Sequence, residues 1–369
     1  MKPIFLILLS ALLTQGFSQP GTKARNIFII TIDGLRWQEV FTGADAAIMD
    51  NPAQCHETGF IKQMFWDEDT LARRQKLMPF LWNVLSKAGQ LYGNRLWDNK
   101  MNVKNIYKIS YPGYNEIFTG YADLHLIPNT PVYNSNTNIL EYLNQQEDYK
   151  GKVAAFTSWD KFHFILNEER SGFTVNCGYE ETAKVDTASM ANSINKIQTN
   201  ISDQSHTRHD ELTFLAAKEY ILAEHPKVMF LGLGETDEFA HQKDYAQYLR
   251  AANNADRIIA DLWYLVQSDS AYRNNTTFII TTDHGRGKKP NSWQWHGIFT
   301  QGSGEVWMAM MGAGIQNSGE IKTNNQIFQR QIAATIATLL GQTFKASHPI
   351  GKAIPILQTS NADLVHIAP

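Results

Sequence analysis

Cysteine is scarce: Cys55 and Cys177 are the two thiols in a chain of 369 residues. Two thiols so far apart in sequence build neither a zinc ribbon nor a disulfide-stapled scaffold, so the fold must stand on its hydrophobic core. One disulfide between them and two free thiols remain equal alternatives in an exported protein. An excess of charge of one sign is also missing. Lys and Arg number 33 against 36 Asp and Glu, a net charge of −3, which argues against a surface for polyanions, so no nucleic-acid partner is expected. No apolar run reaches the roughly 20 residues of a membrane span. The most biased segment is the start, where Lys2 precedes the apolar run Ile4–Leu13 and Gly16-Phe17-Ser18 leads to Gln19. That pattern reads as a secretory signal peptide over residues 1–18, with export or a periplasmic location as its consequence. Residues 19–369, 43% hydrophobic across the whole chain, are expected to form one large domain with an insertion at about 36–77.

Short β-branched or aromatic runs alternate with segments of helical period, the pattern of a doubly wound α/β sheet. Strands are expected at Asn26–Ile32, Lys152–Thr157, Lys227–Leu233, Thr276–Thr281 and Glu305–Met311. Helices are expected at Met78–Lys87, Asn138–Gln145, Glu211–Glu224, Tyr245–Val266 and Gln326–Leu340, the last capped by Gly341. Arg36–Leu77 is too long for an ordinary βα connection and reads as irregular. The segment Ile127–Asn138, with Pro128, Pro131 and four asparagines, reads as an extended loop.

In open α/β sheets ligands bind beyond the carboxyl ends of the strands, and the residues there are rich in metal donors. Asp33-Gly34 follows the first strand, Asp237 and His241 follow the third, and Asp283-His284-Gly285 follows the fourth. His296 stands just ahead of the fifth. Taken singly, Asp-Gly is a common turn, Asp237 a common helix cap and His296 an ordinary surface histidine. Separate explanations of that kind do not account for all of them falling at one end of one sheet. Three carboxylates and three imidazoles exceed one tetrahedral ion and suit two; mixed oxygen and nitrogen donors without thiolate suit Zn²⁺, with Mn²⁺ or another divalent ion as alternatives. Paired metals act as a clamp on both attacking and leaving oxygens at phosphorus. Ser110, in Ile109-Ser110-Tyr111-Pro112-Gly113-Tyr114, is the candidate nucleophile; its competing reading is an N-cap opening a helix over Tyr114–Thr119. His206 and His209, three apart, read as a solvated loop rather than a further metal site.

These pieces resemble the alkaline phosphatase superfamily, in particular its type I phosphodiesterase and nucleotide pyrophosphatase branch. The resemblance is carried by Ile30-Thr31-Ile32-Asp33-Gly34-Leu35-Arg36, Ser110-Tyr111-Pro112 with Thr119-Gly120, Thr236-Asp237 with His241, Thr282-Asp283-His284-Gly285, and His296-Gly297, in the family's order. It implies a three-layer α/β/α sandwich with a mostly parallel central sheet. It also implies that Asp33, Ser110, Asp283 and His284 hold one metal while Asp237, His241 and His296 hold the other. Ser110 would attack phosphorus to give a covalent phospho-serine that water then hydrolyses. An asparagine downstream of the nucleophile donates to the phosphoryl oxygen in that family, and Asn129 is the best-placed match. Departures bear on substrate. The branch usually has Thr-Phe-Pro-Asn-His where this chain has Ser110-Tyr111-Pro112-Gly113-Tyr114. Tyr114 replaces the arginine that accompanies formylglycine formation in sulfatases. The Lys-x-Arg pair of some monoesterases is missing from Ser158–His163, where Lys161 is a partial substitute and Trp159 a stacking surface for substrate.

The implied activity is a secreted, two-metal hydrolysis of small phosphoric esters, with diester and monoester substrates both open. A sulfatase-like hydrolase, a phosphotransferase related to the cofactor-independent phosphoglycerate mutases, and a metal-stabilised binding protein without turnover are the alternatives.

Overall fold

A computed structural model of the chain describes residues 24–126, 129–182, 190–202 and 204–355. The expected signal peptide lies outside the described residues. The chain builds an eight-stranded sheet and a three-stranded sheet from β1 (Asn26–Ile32), β2 (Gly89–Tyr92), β3 (Asn99–Asn102), β4 (Val153–Thr157), β5 (Thr174–Cys177), β6 (Val228–Leu233), β7 (Thr276–Thr281), β8 (Glu305–Val306), β9 (Met308–Gly312), β10 (Gly319–Glu320) and β11 (Asn325–Phe328). In the large sheet the order is β10-β2-β9-β7-β1-β6-β4-β5, and β9 runs against its neighbours while the other pairings are parallel. The mostly parallel α/β architecture is therefore present.

Parallel strands are covered on both faces, and their sequences show it: all seven residues of β1, NIFIITI, are buried. Phe28, Ile30 and Ile32 join the core on one face, and Ile27 and Ile29 join the core on the other. At about 1.5–3 kcal/mol for each fully buried aliphatic or aromatic side chain, this strand anchors both layers. Its register matters for function. Thr31 sits opposite both Gly232 of β6 and Thr281 of β7, so the three central strands end at one level and deliver their following residues to one place.

Differences from the expected elements follow from pairing at a distance, which local patterns do not carry. The expected strand Glu305–Met311 is two strands, because β8 pairs with β3 in the small sheet and β9 crosses to β7 and β2 in the large one. The expected helix Gln326–Leu340 begins instead as β11, paired in parallel with β3, and becomes α-helical at Ile332–Leu339. Met78–Lys87 is a π-helical turn at Leu81–Leu85, with Ser86–Ala88 following. There the buried carboxylate of Asp256 accepts from the N–H groups of Phe80 and Leu81 at 2.7 and 2.9 Å. Arg36–Leu77 is not irregular; it forms the short helices Trp37–Thr42, Ala46–Met49, Thr58–Phe65 and Thr70–Leu77. These lean on the long helix Tyr245–Ser268 through contacts such as Tyr245 Oη to Asp45 N–H (2.8 Å) and Asn253 Nδ2 to Leu77 O (2.8 Å). Cys55 and Cys177 are buried free thiols in different cores, so the disulfide alternative is not realised.

Candidate functional site

Asp33 follows β1 directly. Gly34 then takes φ +61, and a side chain there would put its Cβ 2.7 Å from Arg286 Nε and 2.9 Å from Asp237 Oδ1. Glycine is thus required twice, by conformation and by space. Gly34 N–H donates to Asp283 Oδ1 at 3.1 Å, which ties the ends of β1 and β7 together. Asp237 and His241 lie on the helix Glu235–His241 after β6, and Thr236 Oγ1 donates to Asp33 O at 2.5 Å.

The helix carrying Ser110 runs Ser110–Thr119, starting earlier than the expected Tyr114. Pro112 is accommodated because first-turn N–H groups have no intrahelical acceptor. Ile109 occupies the N-cap and makes no side-chain cap, so Ser110 is not serving as one. Gly113 lets this first turn approach the backbone of Asp283; a Cβ there would stand 2.5 Å from Asp283 O. Gln329 Nε2 bridges the same two segments, donating to Gly113 O and Asp283 O at 2.9 Å each.

The side chains converge. His284 is fully buried, its Nδ1 3.0 Å from Gly285 O, a carbonyl that accepts only, so the proton resides on Nδ1 and the Nε2 lone pair faces the cluster. That Nε2 lies 3.3 Å from Ser110 Oγ, 3.4 Å from Asp283 Oδ2, 3.6 Å from Asp33 Oδ1 and 3.8 Å from Asp237 Oδ1. His241 Nε2 is 3.1 Å from Asp237 Oδ2 and 3.0 Å from His296 Nε2, and the His296 ring stacks on His284 with centroids 4.0 Å apart. Two sets of donor atoms fall within 4.8 Å of one another: Asp33, Asp283 and His284, and Asp237, His284 and His296. All of the expected donors are therefore brought together, and His284 sits between the two sets.

The electrostatics suit divalent cations. Among the described residues, Asp33 Oδ1, Asp283 Oδ2 and His296 Nδ1 are buried without a hydrogen-bond partner. Burial raises the Asp33 carboxyl far above the usual carboxylate range, and the Asp283 charge adds to the rise. Burial likewise pushes Asp283 up to about 7. Burial pulls His284 and His296 down, which keeps both imidazoles neutral and able to ligate. Buried acids with orphaned oxygens beside imidazole lone pairs are a donor set for hard or borderline metals.

Asn129 lies beside the helix turn that carries the nucleophile: its Oδ1 accepts from Tyr111 N–H at 2.9 Å, which orients the amide with Nδ2 as its donor. Lys161 Nζ lies 2.9 Å from Asp160, and Trp159 meets Phe162 edge-on at 6.2 Å; Phe162 in turn packs on Tyr114. His206 and His209 face different carboxylates, Asp160 and Glu235, each at 2.8 Å, and do not converge.

Three residues escaped the sequence reading. Arg286, fully buried, contacts the Asp237 carboxylate and donates to Gly34 O at 3.2 Å and Gln294 O at 2.6 Å. Its position directly after Asp283-His284-Gly285 was the available signal. Tyr114, noted only as a departure from a motif, donates from its hydroxyl to Asp33 Oδ2 at 2.9 Å. Gln329 is remote in sequence from everything it bridges.

The family model for type I phosphodiesterase / nucleotide pyrophosphatase matches residues 53–336. No curated protein matches the sequence. Among solved structures, the chain resembles wild-type alkaline phosphatase PafA, with TM-score 0.59 and 10% identity over 90% of this chain and 98% of that one. It also resembles the lipoteichoic acid synthase LtaP from Listeria monocytogenes, with TM-score 0.55 and 14% identity over 88% and 74% of the two chains. A putative sulfatase from Bacteroides thetaiotaomicron gives TM-score 0.54 and 12% identity over 88% and 72%. At such identities these three show a shared fold alone.

Proposed function

Because the chain belongs to the type I phosphodiesterase and nucleotide pyrophosphatase family, we propose that it is an exported hydrolase of small phosphoric diesters that works through Ser110 and two divalent metal ions. The observation that carries this reading is Ser110 Oγ, uncommitted to capping and 3.3 Å from the His284 lone pair, inside a cluster of buried, partnerless acid oxygens. Asp33, Ser110, Asp283 and His284 would hold one ion and Asp237, His241 and His296 the other, with Zn²⁺ the best match to mixed oxygen and nitrogen donors. Bound there, the ions would lower the pKa of the serine hydroxyl and neutralise charge developing on the phosphoryl oxygens.

The chain's own groups supply the rest. Ser110 Oγ gives up its proton and forms a bond to phosphorus as the bond from phosphorus to the leaving alcohol oxygen breaks. The alcohol departs and takes up a proton. Water then splits the phospho-serine, restoring the Ser110 hydroxyl and releasing a phosphate monoester. Asn129 Nδ2 donates to a phosphoryl oxygen, held in place by the bond of Oδ1 to Tyr111 N–H. Tyr114 fixes the Asp33 carboxylate and Arg286 fixes that of Asp237. A diester is favoured over a monoester because Lys161, the remaining cation of the region that carries Lys-x-Arg in some monoesterases, is already paired with Asp160. Trp159 offers a stacking surface for one substrate arm. Export rests on the pattern of Lys2 and Ile4–Leu13; among the described residues no helix is long and apolar enough to cross a membrane.

The test compares rates on bis(4-nitrophenyl) phosphate, 4-nitrophenyl phosphate and 4-nitrophenyl sulfate, with metal content measured in the same preparation. Preference for the bis-ester, at a metal content of at least two ions per chain, is expected. Preference for the sulfate would transfer the protein to the sulfatase reading, and a metal-replete protein inactive on all three would make it a binding protein.

A further inference from the structure

A second mixed cluster lies at the same carboxyl end of the strands, but beyond β4 and the edge strand β5 rather than the central strands. Strands β4 and β5 pair in parallel up to Thr157↔Cys177, so the turn that follows β4 and the last residue of β5 reach one level. On that turn, His163 belongs to the short helix Phe162–Ile165. Its Nε2 stands 2.5 Å from Glu180 Oε1, and its Nδ1 meets Glu168. The other oxygen of Glu180 accepts from Cys177 N–H at 3.0 Å. The Cys177 sulfur, on a residue 1% exposed, is 3.3 Å from Asp160 O. One donor atom from each of His163, Cys177 and Glu180 falls within 4.8 Å of the other two.

A thiol, an imidazole and a carboxylate within reach of one centre form a donor set that soft and borderline ions select, and hard ions such as Mg²⁺ or Ca²⁺ do not. Glu168 on the far ring nitrogen is the outer carboxylate that commonly orients a ligating histidine. Access exists from one side: the His163 and Glu180 side chains are 22% and 43% exposed, whereas the sulfur is enclosed. Three protein donors leave a fourth position for water.

We propose that His163, Cys177 and Glu180 form a further transition-metal site, of the Zn²⁺ class, separate from the pair at Ser110. Its ligands come from two elements and the loop beyond them, so a bound ion fastens the turn bearing Trp159 and Lys161 to the end of β5. Without metal, an imidazolium held between Glu168 and Glu180, with the Cys177 thiol donating to Asp160 O, would produce the same distances, and metal loading separates the two arrangements.

The experiment uses the full chain, stripped with a chelator and reloaded with Co²⁺ or Zn²⁺, as wild type, Cys177→Ser and His163→Gln. Expected are a thiolate-to-cobalt charge-transfer band in the near ultraviolet for wild type, its loss in both variants, and one fewer zinc ion per chain in both. Hydrolysis that depends on Ser110 should persist in the variants. The wild-type band requires no variant to fold, and its absence overturns the proposal. Equal zinc content in wild type and folded Cys177→Ser overturns it as well and leaves the imidazolium between two carboxylates.

Discussion

Replacing Ser110 by alanine separates a chemical role from a structural one, because the two predict effects of different size. Among the described residues the hydroxyl bonds to His284 Nε2 at 3.3 Å, and Ile109 rather than Ser110 occupies the N-cap. A single hydrogen bond of that kind contributes about 0.5–1.5 kcal/mol. Alanine, the best helix former, recovers part of it. For a domain of this size the melting temperature should therefore fall by no more than about 3 °C. Loss of a covalent nucleophile, by contrast, lowers turnover by about four to six orders of magnitude. That is about 5–8 kcal/mol in the barrier, several times the stability change. The assay is steady-state hydrolysis of bis(4-nitrophenyl) phosphate beside a thermal melt and a metal analysis of the same sample. A variant that keeps its metals and its melting temperature while losing turnover supports the reasoning. Retained turnover refutes Ser110 as nucleophile, and a melting temperature lowered by about 10 °C would refute the geometric account of why the serine is there.

Other substitutions probe the supports of the site. Tyr114→Phe removes the hydroxyl that orients Asp33 from 2.9 Å and should weaken metal binding by about 10–100-fold, as read by competition with a chromophoric chelator; unchanged affinity would show that Asp33 needs no such support. Gly34→Ala forces a Cβ to within 2.7 Å of Arg286 Nε at φ +61, and displacement of Asp237 and Arg286 should reduce kcat by roughly 100-fold. Full activity in that variant would mean the cluster tolerates movement that its packing forbids. Metal affinity should also depend on pH. Without a cation, burial holds Asp283 up at about 7, and burial with the charge of Asp283 holds Asp33 high, so binding must displace protons. Asp33 is held up at about 8, so affinity is complete only above about pH 8 and falls below it by up to about tenfold per pH unit for each proton displaced. Calorimetric titrations in which affinity stays constant from about pH 5 to 8 would remove these two acids from the ligand set.

Sequence by itself was sufficient for the central strands, because a parallel strand buried on both faces writes a run of β-branched and aromatic residues without charge, as β1 and β7 do with all their residues buried. It also pointed to Asp33, Asp237, His241, Asp283 and His284 as candidate donors, since they follow such strands and ligand sites lie beyond carboxyl ends. Tertiary structure decided the remainder. Whether Asp33, Asp237 and Asp283 meet depends on the register of β6, β1 and β7, a relation among segments hundreds of residues apart in sequence. The same holds for the division of Glu305–Met311 between two sheets, and for β11, whose partner β3 overrides a helical pattern. Arg286 and Tyr114 are conspicuous only once folding has buried them, because a guanidinium or a phenol acquires a role at a site through what it touches. Cys177 illustrates the same limit from the other side. Its separation from Cys55 was legible as a number, but folding put the two thiols in different cores and brought His163 and Glu180 to the sulfur instead.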